Sequence, residues 1–269
     1  MKITFLVNRD IASNLALNLL LPLLLKHQVT IFLSAKVGRP GKKPEALERL
    51  RFFEQNLFNE IVFPLAAQSP DSHPGRCRSF DEIGALIANP PQELNTINFE
   101  PGLAQLRQAD PDLIVSIRYG AILKDAAIAV PRLGVINLHS GLLPDYRGVM
   151  ASFWAMLNGE QQLGCSLHYI NSSEIDQGDI LAQSYLPVEP GRSYLWHVLQ
   201  LYYGGSGLIE AAIEEFEHGR KPAATPQTGG GGYYTFPSAA ELAEFTQAGF
   251  SLFDTAEMTD FVRQHFLSA

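Results

Sequence analysis

A β-favouring apolar run over residues 2–7 gives way to the polar triplet Asn8-Arg9-Asp10, then to leucines at close spacing from Ser13 to about residue 26. The pattern predicts a strand, a turn and a helix capped by Ser13, and residues 29–33 supply a second strand. Strand, helix, strand in that order is the unit of a right-handed crossover in a parallel sheet. Farther along, residues 45–56 read as a charged amphipathic helix, 61–63 as a short strand, 69–79 as a Pro/Ser/Asp-rich loop, and 80–88 as a helix ended by Asn89-Pro90-Pro91. A helix over 102–108 leads into 112–116, an apolar run that suits a central parallel strand, and another strand follows over 134–138.

The second half is patterned differently. Residues 165–170 and 180–188 are β-rich and separated by the polar stretch 171–179, which predicts antiparallel additions to the sheet. Residues 194–217 read as a long helical segment interrupted by Gly204-Gly205 and Gly207. The consecutive glycines 229–232 mark a flexible connection, and two capped helices begin near Ser238 and Thr255. Tyr233-Tyr234 beside the glycines serves either as a strand at a dimer contact or as a hydrophobic anchor. The expected fold is α/β: a Rossmann-like doubly wound, mostly parallel sheet with an antiparallel extension and a short C-terminal helical annex. Residues 1–220 form its main domain, and 221–269 a glycine-tethered extension too small for a core of its own.

Composition narrows the function classes. With 46% hydrophobic and 18% charged residues among 269, the chain holds enough apolar material for a large core. No run reaches the ~18 apolar residues of a membrane span, and the leucine-rich stretch 15–25 lacks a signal-peptide cleavage site, so a soluble cytoplasmic protein is expected. The two cysteines, Cys77 and Cys165, make no CxxC pair and no His spacing suggests zinc, so no metal is expected. Twenty-eight acidic against 20 basic residues give a net charge of −8, and the longest basic cluster is Arg39 with Lys42-Lys43. That balance favours a small substrate over nucleic acid.

Candidate chemistry is concentrated in Asn137-Leu-His139-Ser140-Gly141-Leu142-Leu143-Pro144-Asp-Tyr146-Arg147-Gly148. Alternation puts Asn137 and His139 on one side of a strand, at the C-terminal end where open α/β sheets bind ligands. A second polar cluster spans 172–179, and its Asp176 reads on its own as turn chemistry. Together the three residues offer more: an amide that polarises a carbonyl, an imidazole that titrates near neutral pH, and a carboxylate that orients the imidazole. His168, on a strand, reads as a structural histidine. Arg147 locks its loop or contacts substrate, and Arg9 is a surface charge or an acceptor contact.

Asn137-x-His139, then Leu142-Leu143-Pro144-x-Tyr146-Arg147-Gly148, then Asp176-x-Gly178-Asp179-Ile180-Leu181, with Arg118-Tyr119-Gly120-x-Ile122-Leu123 ahead of them, resembles the folate-dependent formyltransferase family. That family includes glycinamide ribonucleotide, methionyl-tRNA and amino-sugar formyltransferases. The resemblance is strongest over 112–188 and extends back to residue 1, because the family's catalytic domain is also a Rossmann-like sheet.

The resemblance implies 10-formyltetrahydrofolate as co-substrate, with an acceptor amine attacking its formyl carbon. Asn137 would hydrogen-bond the formyl oxygen, His139 would stabilise the oxyanion or assist proton transfer, and Asp176 would hold His139 and help to move the amine proton. The pterin pocket would involve Arg118, Tyr119, Gly120, Ile122, Leu123, Leu142, Ile170, Ser172 and Ser173. The acceptor would meet Asn8, Arg9, Ser140, Gly141 and Arg147.

Two departures bear on the acceptor. Many relatives carry Pro-Ser after the histidine where this chain has Ser140-Gly141. Relatives that hold a nucleotide phosphate have a glycine-rich first turn, whereas Asn8-Arg9-Asp10-Ile11-Ala12-Ser13 has no glycine. Methionyl-tRNA enzymes add a C-terminal barrel, against the short acidic tail here. The expected acceptor is therefore the amine of a small molecule, an amino sugar or a hydroxylated amino acid such as hydroxyornithine, rather than tRNA. Two alternatives stand beside it: a methionyl-tRNA formyltransferase-like enzyme lacking the C-terminal domain, and a formyltetrahydrofolate hydrolase. With the first strand expected at Lys2, the hydrolase's usual N-terminal regulatory domain is not expected here.

Overall fold

In the computed structural model of the protein, which describes residues 1–35, 43–68 and 75–267, alternation along β1 (Lys2–Asn8) splits its side chains between two cores. Ile3, Phe5 and Val7 join one apolar cluster and Leu6 the other, so the strand is covered on both faces. It is followed by α1 (Ile11–Leu19), the single turn α2 (Leu21–Leu24) and β2 (Gln28–Ser34). Asp10, not Ser13, caps α1: its side chain accepts from the Ser13 amide, and Ser13 lies inside the helix. Pro22 restarts the helix as α2 instead of letting it run to residue 26.

Next come α3 (Glu45–Arg51), a π-helix over Phe52–Val62, and α4 (Phe63–Ala67). Residues 61–63, expected as a strand, are helical: Val62 and Phe63 are buried on the inner face while Ile61 points out, which a short apolar run cannot reveal. Arg39 and Lys42 of the basic cluster, and residues 69–74 of the expected loop, lie outside the described residues. Then follow α5 (Phe80–Leu86), the two-residue β3 (Gln92–Glu93), α6 (Gly102–Gln108), β4 (Leu113–Ile117), α7 (Asp125–Ile128), β5 (Val135–His139), β6 (Tyr146–Gly148), α8 (Ala151–Leu157), β7 (Gln162–Tyr169) and β8 (Ile180–Pro187).

The main sheet has the order β3-β2-β1-β4-β5-β7-β8. The pairs from β3 to β5 are parallel, and β7 and β8 add an antiparallel edge. The fold class is the expected one, a doubly wound, mostly parallel α/β sheet with an antiparallel extension.

The long helix α9 (Tyr194–Glu217) is unbroken. Its glycines serve close approach instead: a Cβ on Gly205 would come 2.9 Å from Leu138 Cδ2, and one on Gly204 3.0 Å from Ser184 Cβ, so the helix lies flat on β5 and β8. The chain continues through β9 (Gly232–Tyr234), α10 (Ala239–Gln247) and α11 (Thr255–His265). Leu242, Phe245, Met258 and Phe261 of these helices are buried in the same core as β1 and α9. Among the described residues no helix is long and apolar enough to cross a membrane.

Candidate active site

β5 lies between β4 and β7, and its C-terminal end carries Asn137 and His139 on one side. The antiparallel register sets Asn137 directly opposite His168. On β7 the residues Cys165, Leu167 and Tyr169 join the apolar core, whereas Ser166 and His168 face the other way. Ser166 braces the loop after β5: its Oγ donates to Gly141 O at 2.8 Å and accepts from the Leu143 amide at 2.9 Å. Gln183 adds bonds to Ser166 Oγ and Leu143 O at 2.9 and 3.0 Å.

Asp176, on the turn between β7 and β8, closes the constellation. Its Oδ2 is 3.5 Å from His139 Nδ1 and accepts from the Gly148 amide at 2.9 Å, while its Oδ1 is 3.4 Å from His168 Nε2. Each imidazole is also tied to a backbone carbonyl, His139 through Nε2 to Tyr146 O at 2.7 Å and His168 through Nδ1 to Tyr169 O at 2.8 Å. A carbonyl only accepts, so those nitrogens carry the protons. The Nε2 of His168 also lies 3.0 Å from the Asn137 side-chain amide. The Nδ1 of His139 faces the carboxylate, a contact that attracts when a proton lies between them.

Burial opposes ionisation of Asp176. The His139 charge, then the His168 hydrogen bond and charge and the Gly148 amide, outweigh it and hold the carboxyl below the usual carboxylate range.

The segment after α9 packs onto this site. β9 pairs in parallel with β6, so residues 232–234 lie along the backbone that supplies the Tyr146 carbonyl and the Gly148 amide. Arg147 Nη2 donates to Gly231 O at 2.5 Å and Trp154 Nε1 to Thr235 O at 3.0 Å, and the Tyr234 ring stacks between Tyr146 and Trp154. A Cβ on Gly231 would come 1.7 Å from Pro144 O, so two of the four glycines, Gly231 and Gly232, are docked by close approach. Tyr233-Tyr234 is a strand within this chain, and Tyr234 is the anchor of the pair.

The structure brings Asn137, His139 and Asp176 together as the sequence predicts, and adds His168. The signal for His168 was the polar alternation of Ser166 and His168 on an otherwise apolar strand. The other expected residues spread along the neighbouring strand ends. Leu123 and Ile170 pack in the second core cluster, Tyr119 OH donates to Leu94 O, Gly120 N donates to Ser34 Oγ at 2.9 Å, and Ile122 is exposed. Leu142 is half-buried over Gly164, whereas Ser172 and Ser173 are exposed on the turn. Ser140 accepts from Ser152 Oγ through its carbonyl, and Gly141 leaves no room for a Cβ beside His139 Nε2.

Arg118, Asn8 and Arg9 sit differently from the pocket-lining roles expected of them. Arg118, at φ +56°, gives its guanidinium to Asp10 at 2.7 Å and to Glu54 of the π-helix at 2.9 Å. Asn8 is buried and donates to Asp10 Oδ2 at 3.0 Å, and Arg9 pairs with Glu93 at 3.5 Å. Among the described residues no group of three or more His, Cys, Asp or Glu could hold a metal ion.

A neutral amide, two imidazoles and a buried carboxylate at one strand end can polarise a carbonyl oxygen and carry a proton away from an attacking group. Residues 69–195 match the sequence family described as formyl transferase. The chain is 38% identical over 117 residues to the methionyl-tRNA formyltransferase of Synechococcus sp. strain JA-3-3Ab, which covers 44% of this chain and 36% of the relative. It thus spans just over a third of that relative's length. Among solved structures, a sugar N-formyltransferase from Shewanella sp. FDAARGOS_354 superposes with a TM-score of 0.57 at 16% identity, covering 92% of this chain and 88% of the other. An N-formyltransferase from Helicobacter canadensis, in complex with folinic acid and dTDP-3-aminofucose, gives a TM-score of 0.55 at 16% identity, covering 87% and 70%. At these identities the structural likeness is one of fold.

Proposed function

We propose that the chain, whose residues 69–195 match the formyl transferase family, transfers the formyl group of 10-formyltetrahydrofolate to the amine of a small molecule. The observation that carries this reading is the meeting of His139 and His168 at the Asp176 carboxylate, with Asn137 bonded to His168, at the end of β5. The donor set suits a reaction in which a carbonyl oxygen gains charge and an amine loses a proton. 10-Formyltetrahydrofolate supplies the electrophilic formyl carbon. Asn137 turns its amide to the formyl oxygen as negative charge develops there, and the His139 imidazole beside it helps to stabilise that charge or assists proton transfer. Asp176, kept ionised, accepts the amine proton directly or through water. Tyr119, Gly120, Ile122, Leu123, Leu142, Ile170, Ser172 and Ser173 border the folate, with Arg118 behind them in its ion-pair triad.

The acceptor side favours an amine without a phosphate at the first turn. The N-terminus of α1, where relatives seat a phosphate against backbone amides, is filled by the protein's own Asp10 carboxylate. A phosphate there would face the Asp10–Glu54 pair of acids around a single Arg118. The net charge of −8 weighs against tRNA in the same way. Ser140, Gly141 and Arg147, on the loop after β5, are the residues of this chain that the acceptor meets in this reading.

The test is tetrahydrofolate release from 10-formyltetrahydrofolate with a panel of amino sugars, nucleotide-linked amino sugars, hydroxylated amino acids and initiator methionyl-tRNA. Release that depends on a small amine is the expected result. Release without any amine would make the protein a hydrolase, and formylation of the tRNA alone would move the acceptor to the other branch of the family.

A further inference from the structure

Asp176 has φ +54°, a left-handed conformation that a non-glycine residue keeps only where its surroundings impose it. The surroundings that do so come from beyond α9. Gln227 Nε2 donates to Asp176 O at 2.8 Å and to Gly178 O at 2.7 Å, spending both amide hydrogens across the turn. Gln227 is itself fixed to the sheet edge, since Thr225 and Ile180 exchange backbone bonds of 2.8 and 2.9 Å. The turn cannot slide away from this contact on its other side, because a Cβ on Gly178 would come 1.7 Å from Tyr169 O. Seven residues after Gln227, Tyr234 completes the pairing with β6, the strand whose Gly148 amide and Tyr146 carbonyl meet Asp176 and His139. One segment thus holds the backbone of Asp176 and the backbone partners of its side chain.

We infer that Gln227 is a positioning residue for Asp176, and that residues 225–235 are a working part of the active site. This rests on the reading of Asp176 as the catalytic carboxylate. Without the two amide bonds, the turn loses its reason to stay left-handed. The carboxylate then swings off the Gly148 amide and the two imidazoles, which changes both its own proton affinity and theirs.

The experiment compares the full-length protein with Gln227→Met, which keeps the side chain's length and removes both donors, and with Gln227→Asn, which keeps the amide at shorter reach and carries the test if the first variant does not fold. Steady-state kinetics, thermal unfolding and 15N NMR titration of the His139 and His168 imidazoles are measured on each. The expected result is a kcat lower by about 10–100-fold with KM for the folate within about twofold, as for loss of a positioned proton acceptor. The imidazole titrations should shift by at least about half a pH unit as the carboxylate moves. A lower melting temperature with kcat and imidazole titrations unchanged would make Gln227 a structural brace only and overturn the inference, as would no change in any readout. If the wild type transfers no formyl group, the functional reading fails and the imidazole titrations alone decide whether Gln227 positions Asp176.

Discussion

His168 Nε2 and Asp176 Oδ1 face one another at 3.4 Å, while the other oxygen of the same carboxylate meets His139 at 3.5 Å. The carboxylate is shared between two imidazoles, and the register of β7 against β5 sets the second of them beside Asn137. His168 therefore governs the orientation of both Asn137 and Asp176. Replacing it by Gln is expected to lower kcat by about 10-fold or more, because two oriented groups lose one partner. Single-turnover formyl transfer is the measurement, and an unchanged rate would return His168 to a purely structural role.

Asp176→Asn is expected to reduce turnover by about 10²–10⁴-fold, the usual worth of a positioned proton acceptor. The same variant tests the protein's response to acid. The folded carboxyl lies below its unfolded value of about 3.9, so its contribution to stability is complete above that pH and is lost as pH falls through the folded value. Urea midpoints at pH 7 and pH 3 should therefore separate more widely for the wild type than for Asp176→Asn.

Arg118→Ala removes the guanidinium that bridges Asp10 and Glu54, two carboxylates that are largely buried. Breaking such a group by taking out a single partner costs about 3–5 kcal/mol, so a large fall in the denaturant midpoint is expected. Folate affinity should hold within about threefold if the residue serves the triad and not the pterin, since a lost charged hydrogen bond would cost more. Equilibrium unfolding and folate titration read the two quantities separately.

Much of this was open to inspection in the chain itself. β1, β2, β4, β5, β7 and β8 are largely apolar or β-rich runs of strand length, whereas the two-residue edge β3, Gln92-Glu93, carries no such pattern, and Asn137 and His139 fall at a strand end by alternation alone. Other features were set by tertiary contact. Residues 61–63 are helical because Val62 and Phe63 share a buried face, and Gly204 and Gly205 permit close packing where their composition suggests a break. The role of His168 depends on which residue of β5 it opposes, and that register is a property of the folded pair. Asp10 takes the cap from Ser13 because its carboxylate also answers Arg118, a partner 108 residues away.

Gly148→Ala probes the junction between β6 and β9. The residue has φ +97°, and an added Cβ would lie 2.2 Å from Tyr234 O, so the substitution has to push the two strands apart. Expected are a loss of about 1–3 kcal/mol, as for other overpacked or strained positions, and a lower kcat through displacement of the Asp176 hydrogen bond. Thermal melts and kinetics on the same preparation would show both effects together.

The position of residues 225–235 in the chain also fixes an order of events during synthesis. All seven strands of the main sheet are available once residue 187 has left the ribosome, whereas Gln227 and β9 emerge some dozens of residues later. Domains assemble from the N-terminal side as they are made, so the sheet can form with Asn137, His139 and His168 already in register and Asp176 still unpinned. Asp176 is then pinned only when residues 225–235 have followed, together with the helices α9 to α11 that complete the core.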